Sequence, residues 1–235
     1  VVVGIAFLPG LLAALQNESP SADDDYDLYL YDDFDNEAFD NGVDSNRWNF
    51  YTDSPFCRIY QLYGDLYLTN DRNTQQVGCE IVMTNPETML GSELTSMAAH
   101  FYIEPEGNGG WFGTFLRYIA YFEDGEFAVE CGFTGNYPVV ELIMSVYDSR
   151  IDGDAGHLYY ISDVVDLDSY YELELMVDPN TMTFSCTDYG DMIGRYTHAN
   201  LRELQTYPFE RQLSNWRDPN AKVTFRLDFL MTYPP

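Results

Sequence analysis

Clustered aspartates, paired glutamates and four cysteines are the residues of this 235-residue chain whose type and spacing could do chemistry. Asp148, Asp152 and Asp154 surround Gly153 in the run DSRIDGD. Hard carboxylate oxygens around a turn are the donor set that calcium takes. The run is not an EF-hand, because the closing bidentate Glu is missing, and a solvated acidic turn is the competing reading. Glu172 and Glu174 share one strand face, whereas Glu126, Glu130 and Glu141 each stand alone. Such carboxylates read as a solvated acidic sheet face. With His100, His157 and His198 as the only histidines and no nucleophile elbow, Ser/His and Cys/His catalysis find no support.

Cys57, Cys79, Cys131 and Cys186 form no CxxC pair, and no His stands at ligand spacing, which argues against zinc. An even count in an acidic, tyrosine-rich chain favours two disulfides and an oxidising compartment, outside the cell, at its surface or in a periplasm. Four cysteines allow three connectivities. Cys57–Cys79 with Cys131–Cys186 is favoured, because every member sits in a strand-like segment; four buried thiols are the alternative.

The elements that must position these groups are strands. In YYELELMVDPNTMTFSCTDYGDMIGRYT (170–197), Tyr171, Leu173, Leu175 and Val177 share one face and Glu172, Glu174 and Met176 the other. Asp178-Pro179-Asn180 is turn chemistry, with Asn tolerant of the left-handed region, and Asp188-Tyr189-Gly190-Asp191 turns the chain again. Further strands are expected at 58–62, 65–69, 78–84, 95–103, 111–122, 126–133, 139–147, 157–162, 181–187, 192–196 and 222–232. The stretch 199–218 reads as a loop with a helical turn. Even spacing of short strands predicts an all-β sandwich or barrel.

Residues 33–235 form one domain, preceded by an acidic linker at 17–32 and an apolar segment at 1–16. Asn17-Glu18-Ser19 fits a glycosylation sequon. The segment VVVGIAFLPGLLAALQ is suited to a membrane, a packed helix or a strand inserted into another subunit. The net charge of −28 sets the chain against nucleic-acid phosphates and anionic membrane surfaces.

In order along the chain, DDFDNEAFDNGVDSNRWNF, FCRIYQLYGDLYLTN, SELTSMAAHFYIEP, GGWFGTFLRYIAYFEDGEFAVECGF, the 171–196 hairpin and VTFRLDFLMTY resemble the concanavalin A-like lectin/glucanase superfamily. The resemblance, which extends to laminin G-like and carbohydrate-binding domains, implies a two-sheet antiparallel jelly-roll sandwich. It implies a structural calcium at Asp33, Asp35 and Asp228. It also implies sugar-stacking rings, for which Trp111, Tyr118, Tyr121, Tyr137 and Trp216 are the candidates, with core filling or an interface as the competing role. Family glucanases carry a Glu-x-Asp-x-x-Glu strand, and no such run is found here. The expectation is therefore a non-catalytic member: a structural or accessory subunit of a cell-surface assembly, held in a membrane or by other subunits through residues 1–16. A secreted lectin-like module is the alternative, and a glycoside hydrolase the distant one.

Overall fold

The computed structural model describes residues 31–32, 34, 44–52, 57–70, 79–84, 88–105, 111–136, 139–151, 156–166, 169–217 and 223–233. Along them run β1 (Tyr31–Asp32), β2 (Asn49–Thr52), β3 (Cys57–Leu62), β4 (Asp65–Asn70), β5 (Cys79–Thr84), β6 (Met89–Leu90), β7 (Ser96–Pro105) and β8 (Trp111–Phe122). They continue with β9 (Gly125–Asn136), β10 (Val139–Asp148), β11 (His157–Val164), β12 (Tyr170–Asp178), β13 (Thr183–Asp188), β14 (Asp191–Thr197), helix α1 (Leu201–Thr206), β15 (Pro208–Arg217) and β16 (Val223–Tyr233). One sheet has the order β14-β13-β12-β7-β16-β4-β3, with β1 on β16. The other has the order β11-β10-β9-β8-β15-β5-β2, with β6 on β15. The expected antiparallel sandwich is the observed architecture. The apolar segment and Asn17 lie outside the described residues.

Alternation builds the core. Met97, Ala99, Phe101 and Ile103 of β7 and Leu173, Leu175 and Val177 of β12 face inward from the first sheet. Phe112, Leu116, Tyr118 and Ala120 of β8 and Phe127, Val129, Cys131 and Phe133 of β9 meet them from the second. As the 170–197 alternation predicts, β12 pairs with β13, which pairs with β14, and Glu172 and Glu174 lie on the face away from the core. The left-handed residue of the first turn is Met182 (φ 46°), however, not Asn180. Asp178 instead caps that turn, accepting hydrogen bonds from the Asn180 amide at 3.0 Å and the Thr181 hydroxyl at 2.7 Å. Tyr189 and Gly190 both take positive φ, the conformation a tight two-residue hairpin needs.

Residues 199–218 depart from expectation. The helical turn is α1, but Pro208–Arg217 is a ten-residue strand, β15, set between β8 and β5. Its inward residues include Arg211 and Asn215 beside Phe209 and Leu213, all buried. Asn215 Nδ2 donates a hydrogen bond to the Thr114 hydroxyl at 2.6 Å across to β8. With polar groups on both faces, β15 shows no apolar alternation.

Cys131 of β9 and Cys186 of β13 form a disulfide that joins the two sheets through the core. Cys57 is also disulfide-bonded, while the side chain of Cys79 lies outside the described residues. Closing a loop across a separation of 55 residues removes denatured-state entropy worth about 4 kcal/mol. Replacing both cysteines with alanine is therefore expected to lower the denaturant midpoint by a corresponding amount. Urea unfolding followed by tryptophan fluorescence measures it, and an unchanged midpoint refutes the role.

Candidate active site

The parity that sends Phe127, Val129 and Cys131 of β9 into the core sends Glu126, Ala128 and Glu130 to the opposite, open face. The register extends that face sideways. Arg117 of β8 lies opposite Glu130, Ile119 opposite Ala128, and Tyr121 opposite Glu126. On the other side, Ser145 of β10 lies opposite Glu130 and Tyr147 opposite Ala128. Beyond β8, Gln212 of β15 lies opposite Arg117, and beyond β10, Tyr159 of β11 lies opposite Ser145. Phe115, Ile119, Ala128 and Ile143 point away from the core yet are at most 5% exposed. Apolar groups buried on an outward face make it a recess with a greasy floor. At Gly132, beside Glu130, an added Cβ would sit 1.9 Å from the Thr114 carbonyl oxygen, so the floor there stays bare backbone.

A polar network crosses this floor. The Ser145 hydroxyl donates to Glu130 Oε2 at 3.0 Å, and Arg117 Nε lies 3.2 Å from Glu130 Oε1. Arg117 Nη2 reaches Glu126 Oε1 at 4.0 Å, and Nη1 donates to Gln212 Oε1 at 3.5 Å. Gln212 Nε2 in turn donates to Glu210 at 2.8 Å. Burial pushes the Glu130 carboxyl above the ordinary glutamate range, partly offset by Arg117 and Ser145 and reinforced by Glu126. A carboxyl of raised proton affinity beside a second carboxylate is the arrangement that splits acid and nucleophile roles between two like residues.

Rings border the recess. Tyr147 and His157 lie with centroids 4.3 Å apart, and His157 stacks on Tyr159 at 6.1 Å. Tyr159, Tyr121 and, on β2, Tyr51 are each more than half exposed. Of the expected sugar-stacking residues, Trp111 and Tyr121 lie on this face. Tyr118 does not: it is fully buried between the sheets, where its hydroxyl donates to the Thr95 carbonyl, so neither ring face is open to a sugar. Tyr137 and the side chain of Trp216 lie outside the described residues.

The expected calcium loop is engaged otherwise at its described end. Asp148 Oδ1 and Oδ2 each accept a hydrogen bond from the Arg150 guanidinium at 2.8 Å, and His198 Nε2 lies 3.7 Å from Oδ2. Arg150 also pairs with Glu203 of α1 at 2.9 Å and lies over the Phe122 ring. Asp152, Asp154, Asp33, Asp35 and the side chain of Asp228 lie outside the described residues. Among the described residues, no three His, Cys, Asp or Glu side chains gather to hold a metal.

No protein-family model and no curated protein matches the sequence. Solved structures match the fold. A laminarinase from Flavobacterium sp. UMI-01 superposes with TM-score 0.61 at 10% identity, over 88% of this chain and 99% of that one. SCLam, a non-specific endo-β-1,3(4)-glucanase from glycoside hydrolase family 16, gives 0.62 at 10% identity, over 89% and 91%. The κ-carrageenase of Pseudoalteromonas carrageenovora gives 0.59 at 13% identity, over 92% and 98%. This likeness is one of fold, and it agrees with the concanavalin A-like resemblance. It also corrects the expectation of a non-enzymatic accessory subunit. The neighbours that share nearly the whole domain are glycoside hydrolases, and β9 presents a glutamate pair in a recess where the sequence reading saw isolated residues.

The Asp148 cluster yields a stability prediction. Burial works to raise Asp148, but the Arg150 hydrogen bonds and charge outweigh it and hold the carboxyl below its ordinary range. A depressed carboxylate contributes stability above its unfolded-state value and loses it as pH falls through the folded-state value. Asp148→Asn is expected to cost about 3 kcal/mol at neutral pH, because it leaves Arg150 without its buried partner. The gap to wild type should narrow on acidification. Thermal melts between pH 7 and 3 measure it; a gap that does not change with pH contradicts the assignment.

Proposed function

We propose that the chain is a glycoside hydrolase that cuts an uncharged polysaccharide in the recess of the β9 sheet, with Glu130 as general acid and Glu126 as its partner carboxylate. The observation that carries this reading is the glutamate pair. Two carboxyl groups share one open strand face, both within 4.0 Å of one guanidinium, and burial favours the protonated form of one of them. Two-carboxylate glycosidases hold these groups about 5–9.5 Å apart, a span that a single guanidinium can bridge. Glu130 would protonate the glycosidic oxygen as the bond breaks, while Glu126 attacks the anomeric carbon from the other side of the ring. Glu130, now ionised, would take a proton from the water that releases the sugar.

The open face supports an uncharged substrate. Glu126, Glu130, Glu141 and Glu210 lie on it, and among its described residues Arg117 is the one guanidinium or ammonium. Arg117 is already occupied by two carboxylates, and the chain as a whole carries −28. A sulfated or uronic polymer would meet repulsion, with no cation left among the described residues of this face to bind it. Rings at the border offer flat faces to pyranose units. The disulfides fit an oxidising compartment, extracellular or periplasmic.

Release of reducing ends from unsubstituted β-1,3- and β-1,3/1,4-glucans tests the reading, with κ-carrageenan as the charged comparison. Hydrolysis of the neutral polymers is expected, with kcat/KM falling about 10²–10⁴-fold or more in Glu130→Gln and in Glu126→Gln. Activity should decline as pH rises through the Glu130 value, since the acid must carry its proton. Variants that fold and retain the wild-type rate would remove the pair from the chemistry.

A further inference from the structure

Between the two glutamates on β9 stands Ala128, 1% exposed, where the glucanase alternation of the resemblance would have a carboxylate. A methyl group accepts no hydrogen bond, so β9 itself provides nothing between Glu126 and Glu130 to orient either. The neighbouring strand does. Arg117 enters from β8 opposite Glu130, with Nε 3.2 Å from Glu130 and Nη2 4.0 Å from Glu126, while Gln212 of β15 holds its Nη1 at 3.5 Å. Its side chain is only 17% exposed, and the flanking floor residues Phe115 and Ile119 are buried, so the guanidinium has little room to leave.

We propose that Arg117 is a positioning residue that ties Glu126 to Glu130 from the neighbouring strand, orienting the pair that no carboxylate of β9 orients. The proposal rests on the hydrolase reading only for its kinetic consequence. The physical logic is charge compensation. Glu126, four residues away on the same strand face, raises the proton affinity of Glu130, and a third carboxylate between them would add to that repulsion. A methyl group in the middle and a guanidinium across the strand gap give the opposite balance. The groups that face Glu130 are Arg117 on β8, Glu126 on its own strand, Ser145 and Tyr147 on β10 and Gln212 on β15, with Glu210, His157 and Tyr159 one position further out. Arg117 is the one permanently charged cation in this set. Burial raises Glu130 and Arg117 is the largest opposing influence.

The test uses the full chain as wild type, Arg117→Gln, Arg117→Lys and Arg117→Gln/Ala128→Asp. Carbon-13 NMR of labelled glutamate carboxyls follows the Glu130 titration without substrate, and pH–rate profiles on an unsubstituted β-glucan follow its consequence. Arg117→Gln is expected to move the Glu130 titration upward by about one unit or more. It should move the alkaline limb of kcat by the same amount and lower kcat more than it changes KM. Arg117→Lys should restore most of the titration shift, and adding Ala128→Asp should push the Glu130 titration higher still. A Glu130 titration within about 0.2 units of wild type in Arg117→Gln, or an equal loss with lysine, overturns the proposal. If wild type hydrolyses nothing, the hydrolase reading falls, and the NMR titration still decides whether Arg117 controls Glu130.

Discussion

The alternation of β9 is the constraint on which the rest of this molecule depends. Phe127, Val129, Cys131 and Phe133 are locked into the core, and that alone turns Glu126 and Glu130 outward. A slip of one residue would bury two carboxylates between the sheets and expose four core side chains, so one face cannot change without the other. The Cys131–Cys186 bond fixes the same strand covalently to the opposite sheet. The residue that anchors the sandwich is thus the immediate chain neighbour of the glutamate argued to donate a proton. Burial around that strand also raises Glu130, so packing and acid strength have one cause.

Charge is organised on the same principle of shared neighbours. The face carries more acid than base, yet its one described guanidinium sits where two carboxylates approach. Placed at a rim, Arg117 would be a receptor for anionic sugars; placed between Glu126 and Glu130, it is spent within the protein. Just past the end of β10, Arg150 does comparable work for stability by joining Asp148, Glu203 and the Phe122 ring. Both arginines hold acids in register, which suits a chain with 39 acidic and 11 basic residues.

Much of the fold was legible in the sequence because most strands keep clean alternation. The 170–197 hairpins and the two apolar faces of 111–122 follow from it. β15 was not legible, since Arg211 and Asn215 occupy inward positions and mask the period. The site was hidden for a different reason. Glu126-Phe-Ala-Val-Glu130 departs twice from Glu-x-Asp-x-x-Glu: the middle acid is absent, and the last glutamate comes one residue early. The available signal was parity: Gly125 opens a strand in which Phe127, Val129 and Cys131 face one way and both glutamates the other. Parity also separates Tyr118 from Trp111 and Tyr121, which a list of rings does not. The Arg117 contact depends on strand register, which no local pattern reveals.

Azide rescue of Glu126→Ala tests the central claim most directly, because azide acting in place of a missing nucleophile attacks the substrate itself and inverts the anomeric centre, whereas azide in an acid/base variant retains it. With the polysaccharide that wild type cleaves, the account predicts that Glu126→Ala is nearly inert alone. Added azide should restore turnover and yield a glycosyl azide of inverted anomeric configuration, detected by proton NMR. A folded Glu126→Ala that cleaves at the wild-type rate without azide would contradict it.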